Sequence, residues 1–210
     1  MTDITQNKLC LLQYTTTDGK MIGVKPEWFD SKIVSHAYTN VGRIIFEKPI
    51  TKICKGALSW CVSLVNITIP ESVTTIEGDT FFCCSRLTNI TIPNTVTTIG
   101  NGVFIGCRSL KEFKGKFASA DGYCLIVDGE LKSFAIGCGV TEYTIPDSVQ
   151  TIGAWSFSWC DSLMYINIHN NVTRIGRKAF HGCISLTSVN MSNEIMTLDE
   201  NVFITPCKTI

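Results

Sequence analysis

The sequence has few charged residues, no excess charge of either sign and no long apolar run. Charged residues make up 17% of its 210 residues, and 18 basic residues balance 18 acidic ones. Because a basic surface attracts nucleic acids and anionic lipids, this balance argues against both as partners. No window approaches the ~18 uninterrupted apolar residues of a membrane-spanning helix, so no membrane span is expected.

Signals for export and for catalysis are also missing. The first residues, MTDITQNKLCLLQY, lack the charged start and following apolar stretch of a secretory signal. There is no G-x-S-x-G, no phosphate-binding glycine loop and no H-E-x-x-H. The three histidines, His36, His169 and His181, lie far apart, and no acid or base recurs beside them. We therefore expect neither an enzyme nor a catalytic residue.

What the sequence has instead is a 23-residue unit that occurs six times. Two clear copies are LVNITIPESVTTIEGDTFFCCSR and LTNITIPNTVTTIGNGVFIGCRS. The copies begin at Val41, Leu64, Leu87, Val140, Leu163 and Leu186, and the first and last are degenerate. The shared pattern is L-x-x-I-x-I-P-x-x-V-x-x-I-G-x-x-A-F-x-x-C-x-x. A fixed period of this length is typical of a solenoid, in which each coil buries the apolar face of the next.

The first half of the unit predicts two extended pieces. Ile67 and Ile69 alternate as in a half-buried strand, and Pro70 ends that strand because proline cannot donate to a ladder. A second short extended piece then points Val73 and Ile76 inward.

The second half of the unit predicts a corner and a turn. The corner carries Gly100, Gly153 and Gly176, and the A-F-x-x-C segment after it predicts a single turn of 3-10 or α type. One phenylalanine per coil is expected to stack in an internal column: Phe81, Phe104, Phe157, Phe180 and Phe203.

Two segments fall outside the period. Residues 110–139 predict a modified coil with a hairpin, because Tyr123–Val127 and Glu130–Phe134 flank the turn dipeptide Asp128-Gly129. We expect this hairpin to project as a lobe, serving either in binding or as a tolerated loop. Residues 1–40 carry no repeat, and a second hairpin is expected there, with Asp18-Gly19 near its turn. Since a solenoid end exposes an apolar cross-section, residues 1–40 are expected to cap the solenoid of residues 41–210.

The repeat pattern resembles that of the BspA-like leucine-rich-repeat proteins. YTTTDGK and SADGYCLIVDGELKSFA also resemble recurrent pieces of Bacteroides-type members. The resemblance implies a β-rich leucine-rich-repeat solenoid of the α/β class, with parallel strands, short helical turns, an N-terminal hairpin cap and an inserted hairpin. It also implies a surface or secreted adhesin that binds matrix proteins or other cells.

The cysteines are predicted to be structural. Six of the eleven occupy the repeat position or lie one place from it: Cys61, Cys84, Cys107, Cys160, Cys183 and Cys207. A thiol at a fixed inward position acts as a small hydrophobe, whereas a metal site needs convergent ligands, usually from CxxC pairs. No metal and no cofactor are therefore expected. Cys124 and Cys138 flank the hairpin without facing each other in its register. The sequence does not decide whether they form a disulfide.

The outward strand positions are the candidate binding surface. They stack into two rows: Arg43, Asn66, Asn89, Glu142, Tyr165 and Ser188, and beside them Ile45, Thr68, Thr91, Thr144, Asn167 and Asn190. These short polar side chains predict a flat hydrogen-bonding face. The second extended piece presents a threonine row that β-propensity alone explains: Thr74, Thr75, Thr97, Thr98, Thr151 and Thr173.

The corner before the repeat cysteine is aromatic. It carries Trp60, Phe82, Ile105 and Trp159, with Trp155 nearby. Exposed aromatic side chains on a rim are common interface anchors, although these side chains can equally fold back over the coil edge.

We therefore predict a non-catalytic interaction module that binds a protein or glycan partner through the outward rows and the hairpin. The alternative is an assembly protein that stacks through its solenoid ends, with self-association at the C-terminal end. A remote third hypothesis is a thiol-based redox or metal-binding protein.

Overall fold

The chain forms a β-solenoid with almost no helix. The computed structural model describes residues 10–191, 193–203 and the strand at 208–209. Within this part, the one helix is the short 3-10 helix η1, Pro26–Trp28. The A-F-x-x-C segments are single turns closed by 3-10-type bonds, as from the N–H of Cys84 to the carbonyl of Phe81 at 3.1 Å.

The strands lie on two faces of the solenoid. The longer strands form the first face: β3 (Gly42–Phe46), β5 (Leu64–Thr68), β7 (Asn89–Thr91), β9 (Glu112–Lys114), β12 (Glu142–Thr144), β14 (Tyr165–Ile168), β16 (Ser188–Met191) and β18 (Lys208–Thr209). Two-residue strands form the second face: β4 (Lys52–Ile53), β6 (Thr75–Ile76), β8 (Thr98–Ile99), β13 (Thr151–Ile152), β15 (Arg174–Ile175) and β17 (Thr197–Leu198). The remaining strands are β1 (Leu11–Thr16), β2 (Ile33–Tyr38), β10 (Cys124–Val127) and β11 (Glu130–Phe134).

Where equivalent strands of successive coils pair, they pair in parallel and in the register of the repeat. On the first face Tyr143 pairs with Ile166, and Ile166 with Val189. On the second face β4, β6 and β8 align in the same manner. The inward residues of these strands are buried, so the predicted stacked solenoid is confirmed.

The N-terminal segment differs from its prediction in one respect. Residues Leu11–Thr16 do not form a hairpin across Asp18-Gly19; β1 lies antiparallel between β3 and β5. The N-terminal hairpin is instead made by β2 and β3. The physical reason is burial: Leu12 and Tyr14 are 0% and 1% exposed between solenoid strands, whereas an isolated two-stranded hairpin is at best marginally stable.

The inserted hairpin forms as predicted but does not project. Asp128 and Gly129 have φ of 48° and 76°, the two positive values that a type I′ turn requires. The prediction of a lobe is wrong, because β11 pairs in parallel with β13 and continues the second face. Leu125 and Leu131 are fully buried, so the apolar alternation of both strands draws the hairpin into the core.

The aromatic column is present in two stacks. Phe81 stacks on Phe104, at a ring separation of 5.3 Å. The second stack comprises Phe134, Phe157, Phe180 and Phe203, with separations of 4.6, 5.0 and 5.2 Å. Phe134 was not in the predicted column, although it lies 23 residues before Phe157, because residues 110–139 were set apart from the repeat.

The repeat glycines Gly100 and Gly176 let successive coils approach closely. A Cβ atom on Gly100 would lie 2.3 Å from the backbone nitrogen of Gly78, and one on Gly176 would lie 2.6 Å from that of Ala154. Within the repeat units, the residues with positive φ lie at two other corners of the coil.

Candidate functional site

The outward strand residues form the rows that the alternation predicted. Pairing aligns Glu142 with Tyr165 and Tyr165 with Ser188, and next to them Thr144 with Asn167 and Asn167 with Asn190. Exposed members of the two rows are Arg43, Ile45, Asn66, Thr68, Thr91, Glu142, Thr144 and Asn190, and half-buried members are Asn89, Tyr165, Asn167 and Ser188. We call these two rows and the residues paired with them the strand face.

Strand β1 changes the N-terminal part of the strand face. It pairs with β3 and with β5, so Arg43 and Asn66 are not neighbours. Gln13 stands between Arg43 and Thr68, and Thr15 stands next to Asn66. The repeat pattern carries no signal for these two residues, because the strand that holds them lies outside it.

The inserted coil divides the strand face. Strand β9 adds Glu112 and Lys114 beside Asn89 and Thr91, but β9 and β12 belong to different sheets. The turn at residues 119–122 forms hydrogen bonds with both β9 and β12. The carbonyl of Gly122 accepts from the N–H of Phe113 in β9 at 2.7 Å, and Asp121 accepts from the Tyr143 hydroxyl in β12 at 2.9 Å. The face therefore has an N-terminal and a C-terminal half.

Polar side chains bond to one another along the stack. The Asn190 amide donates to the side-chain oxygen of Asn167 at 2.7 Å, and the Asn66 amide donates to the Thr15 hydroxyl at 3.2 Å. These bonds fix the direction of the amides, and the Asn66 side-chain oxygen also accepts from the Thr88 hydroxyl at 3.5 Å. Tyr165 lies between Glu142 and Ser188 as the aromatic member of the C-terminal half.

The threonine row is engaged in holding the coils together. The Thr74 hydroxyl donates to the carbonyl of Thr51 at 3.2 Å, and the Thr97 hydroxyl donates to that of Thr74 at 3.3 Å. Each bond joins one coil to the preceding one, which supports a structural role for this row.

The repeat cysteines line the core. Cys61 is 8% exposed and Cys84, Cys107, Cys160 and Cys183 are 0% exposed, while Cys207 lies outside the described residues. The thiols of Cys84, Cys107 and Cys183 each donate to a carbonyl of the preceding coil at 3.1 Å. Burial raises the pKa of Cys61 to about 11 and raises the pKa of Cys84 further. Reactive thiolates are accordingly disfavoured here.

The other cysteines and the histidines form no reactive cluster. The cysteines at described positions form no disulfide, and these positions contain no group of three His, Cys, Asp or Glu side chains that could hold a metal. Cys124 contacts the Tyr143 hydroxyl at 3.2 Å instead of Cys138. His169 contacts the carbonyl of Pro146 at 2.9 Å, and His36 contacts the Tyr14 hydroxyl at 2.6 Å.

The aromatic corner forms a continuous strip. The ring centroids of Trp60 and Phe82 are 5.6 Å apart, and those of Phe82 and Trp159 are 6.3 Å apart. Trp60 is 66% exposed, Phe82 and Trp159 are half-buried, and Ile105 folds back into the core. Trp155 lies on the neighbouring corner, edge-on to His181. We call Trp60, Phe82 and Trp159 the aromatic strip.

A cavity of mixed polar and apolar lining adjoins the aromatic strip at Trp159. Nη1 of Arg108 lies 2.6 Å from Oδ2 of Asp161, and the guanidinium carbon lies 5.6 Å from the Trp159 ring centroid. The cavity has a volume of about 300 Å³ and is lined by Arg108, Ile136, Gly137, Gly139, Trp159, Asp161 and Ser162. Sequence reasoning missed Arg108 and Asp161, because nothing in the repeat marks their proximity.

Comparison with known proteins supports the repeat assignment. The model of the BspA type leucine rich repeat region matches six copies over residues 33–136 and 128–210. A leucine rich cell surface protein of Faecalibacterium prausnitzii is similar in structure, with a TM-score of 0.59 and 26% identity over 75% of this chain and 49% of that chain. The pneumococcal vaccine antigen PcpA is similar in fold, with a TM-score of 0.61 and 19% identity over 74% of this chain and 40% of that chain.

The chain thus spans half or less of the length of these two solved structures. No curated protein sequence gives a significant match. In the described part of the chain, no helix is long and apolar enough to cross a membrane. The repeat matches extend over most of the chain, and the protein belongs to the BspA-type leucine-rich-repeat family.

Proposed function

We propose that this protein is a non-catalytic interaction module that binds a protein partner through the strand face. Its family consists of non-enzymatic repeat proteins that typically serve protein interaction or adhesion. The Faecalibacterium prausnitzii relative is described as a cell surface protein, which favours a surface location for this chain as well.

The observation that carries the proposal is the register of the C-terminal half of the strand face. Three parallel strands hold Tyr165 among Glu142, Ser188 and Asn167, with the Asn167–Asn190 bond fixing the neighbouring row. Tyrosine is enriched at interface hot spots, since its ring is rigid and its hydroxyl still bonds. A rigid sheet also presents these groups with little ordering cost on binding.

The inserted hairpin takes a smaller part in this proposal than the sequence suggested. Its apolar side chains, such as Leu125 and Leu131, are buried. Its turn is exposed at Asp128, and Glu130 and Lys132 of β11 are half-buried.

The test is capture of a partner from a cell-surface extract, followed by affinity measurement with that partner purified. A variant carrying Tyr165→Ala and Asn167→Ala is expected to bind at least about tenfold more weakly. The matched control carries Thr74→Ala and Thr97→Ala, which change exposed side chains of the second face. Binding that is insensitive to the first pair of changes would contradict the face assignment.

A second candidate function is assembly through the solenoid ends. Leu198 is 54% exposed in the last described coil, whereas its equivalent Ile175, which pairs with it, is fully buried. A second copy that covered Leu198 would restore the burial seen in the interior coils. Light scattering at high concentration decides this candidate: a strict monomer excludes it, and a concentration-dependent rise in mass supports it.

A further inference from the structure

Two residues of the aromatic strip, Trp60 and Trp159, are held in a backbone conformation that bulky side chains do not prefer. One position, directly before the repeat cysteine, has positive φ in five coils, where it is occupied by Trp60, Cys83, Gly106, Trp159 and Gly182. A left-handed conformation costs a residue with a Cβ about 1–2 kcal/mol, and bulky residues rarely adopt it. Glycine is therefore the residue that folding favours here, and the two tryptophans need another explanation.

The Trp159 indole lies along the stack rather than inside it. A Cβ on Gly106 would lie 3.1 Å from Cζ3 of the indole, and a Cβ on Gly182 would lie 2.2 Å from Cδ1. The ring thus extends from the coil of Gly106 to the coil of Gly182. At both ends it packs against a glycine, which has no side chain. This arrangement supports a large flat ring at the surface, next to the cavity.

The cavity beside the ring offers donors and acceptors without net charge. Arg108 and Asp161 compensate each other, and their side chains remain 56% and 40% exposed. One bond joins them, so the other guanidinium N–H groups and the second carboxylate oxygen stay available. Ser162 Oγ is shielded and makes no hydrogen bond of normal geometry with a described residue, although it is close enough to influence the pKa of the Cys160 thiol.

These features together indicate the chemistry of a ligand. A sugar ring has apolar C–H faces that pack on an aromatic ring and hydroxyl groups that both donate and accept in the ring plane. Trp159 supplies the aromatic surface. The Arg108 guanidinium lies over part of this ring, 5.6 Å from its centroid, and the Arg108–Asp161 pair supplies donors and acceptors next to it. The neutral pair disfavours an anionic ligand, since the guanidinium charge is already compensated. The volume of about 300 Å³ is at the lower limit of small-molecule sites, which suits one sugar ring.

We propose that the cavity and the aromatic strip form a binding site for neutral glycans. One sugar ring lies in the cavity against Trp159 and beside the Arg108–Asp161 pair, and neighbouring rings of the same glycan follow the strip over Phe82 toward Trp60. This site is distinct from the strand face and does not depend on it.

The experiment uses the full chain on an array of neutral hexose and N-acetylhexosamine oligosaccharides, with sialylated and sulfated glycans beside them. Bound glycans are then titrated by calorimetry. The expected result is binding to neutral glycans that weakens at least about tenfold in Trp159→Gly. The matched control is Trp155→Gly, which relieves the same backbone strain on a corner outside the strip. This control and Tyr165→Ala are expected to stay within about twofold of the original affinity.

A second variant keeps the test decisive if Trp159→Gly unfolds, as circular dichroism would reveal. Arg108→Lys retains the charge but loses the planar fork, so neutral-glycan binding is expected to weaken several-fold. The proposal is overturned if no neutral glycan binds, if only charged glycans bind, or if folded Trp159→Gly binds as before. Loss of protein-partner binding in Tyr165→Ala with intact glycan binding would separate this site from the strand face.

Discussion

The phenol oxygen of Tyr14 lies 2.6 Å from Nε2 of His36, inside the N-terminal sheet. The same oxygen accepts a hydrogen bond from the backbone N–H of Ile22 at 3.3 Å. Burial raises the pKa of Tyr14, so the phenol stays protonated and forms a neutral hydrogen bond with the uncharged imidazole. Burial also lowers the pKa of His36 from 6.5. The stability of the sheet around β1 should therefore depend on pH.

Acidification is expected to destabilise the fold through His36. Because its pKa is lower in the folded than in the unfolded state, its contribution is complete above pH 6.5 and is lost as the pH falls from 6.5 through the folded pKa. The urea concentration at the unfolding midpoint should therefore be lower at about pH 5.5 than at about pH 7.5. This difference should be smaller in His36→Gln. His181, whose pKa is also lowered, leaves a residual dependence of the same sign. An identical drop in both proteins would contradict this role of His36.

A side chain at Gly42 is expected to displace Tyr14. A Cβ at this position would lie 2.1 Å from Cζ of Tyr14, which is 1% exposed and has no room to move. Gly42→Ala should lower the free energy of unfolding by about 1–3 kcal/mol, as measured by urea denaturation. Gly23→Ala is the control, because no atom lies within 4 Å of a Cβ there. Equal stability of the two variants would show that the Tyr14 site adapts.

Adjacent cysteines are expected to differ sharply in reactivity. Cys83 is half-buried at the left-handed corner, whereas Cys84 is fully buried and donates to the carbonyl of Leu58. Burial raises the pKa of both thiols. Alkylation of the native protein, read by peptide mass spectrometry, should label Cys83 well before Cys84, because access to Cys84 requires local unfolding. Comparable labelling at both positions would mean that the core around the repeat cysteines opens readily.

Much of the solenoid is predictable because its interior repeats. The alternation of Ile67 with its neighbours fixes which side chains point inward, and equal spacing fixes the partner in the next coil. The outward rows follow from the same alternation, which is why Tyr165 and Asn167 lie where the sequence placed them.

What the sequence could not provide depends on contacts between distant residues. Asp18-Gly19 is a local turn signal, but the partners of β1 are strands that begin about 30 and 50 residues later, and burial of Tyr14 between them decides the topology. In the candidate site, Arg108 and Asp161 lie on either side of the inserted coil in the sequence. They come together only because that coil packs into the stack. The exposure of Trp60 likewise depends on a left-handed corner, for which the sequence signal is glycine at the equivalent positions Gly106 and Gly182.

The position within the stack, rather than the residue type, is expected to set the cost of mutation. Ile175 and Leu198 occupy the same repeat position and pair with each other, yet Ile175 is 0% and Leu198 is 54% exposed. Ile175→Ala leaves a cavity between two coils and should cost about 2–5 kcal/mol. Leu198→Ala removes mostly solvated surface, so its effect should stay within about 0.5 kcal/mol in dilute protein. Urea denaturation of both variants at low concentration checks this difference. A cost for Leu198→Ala that appears only at high protein concentration would instead indicate that a second copy covers this coil.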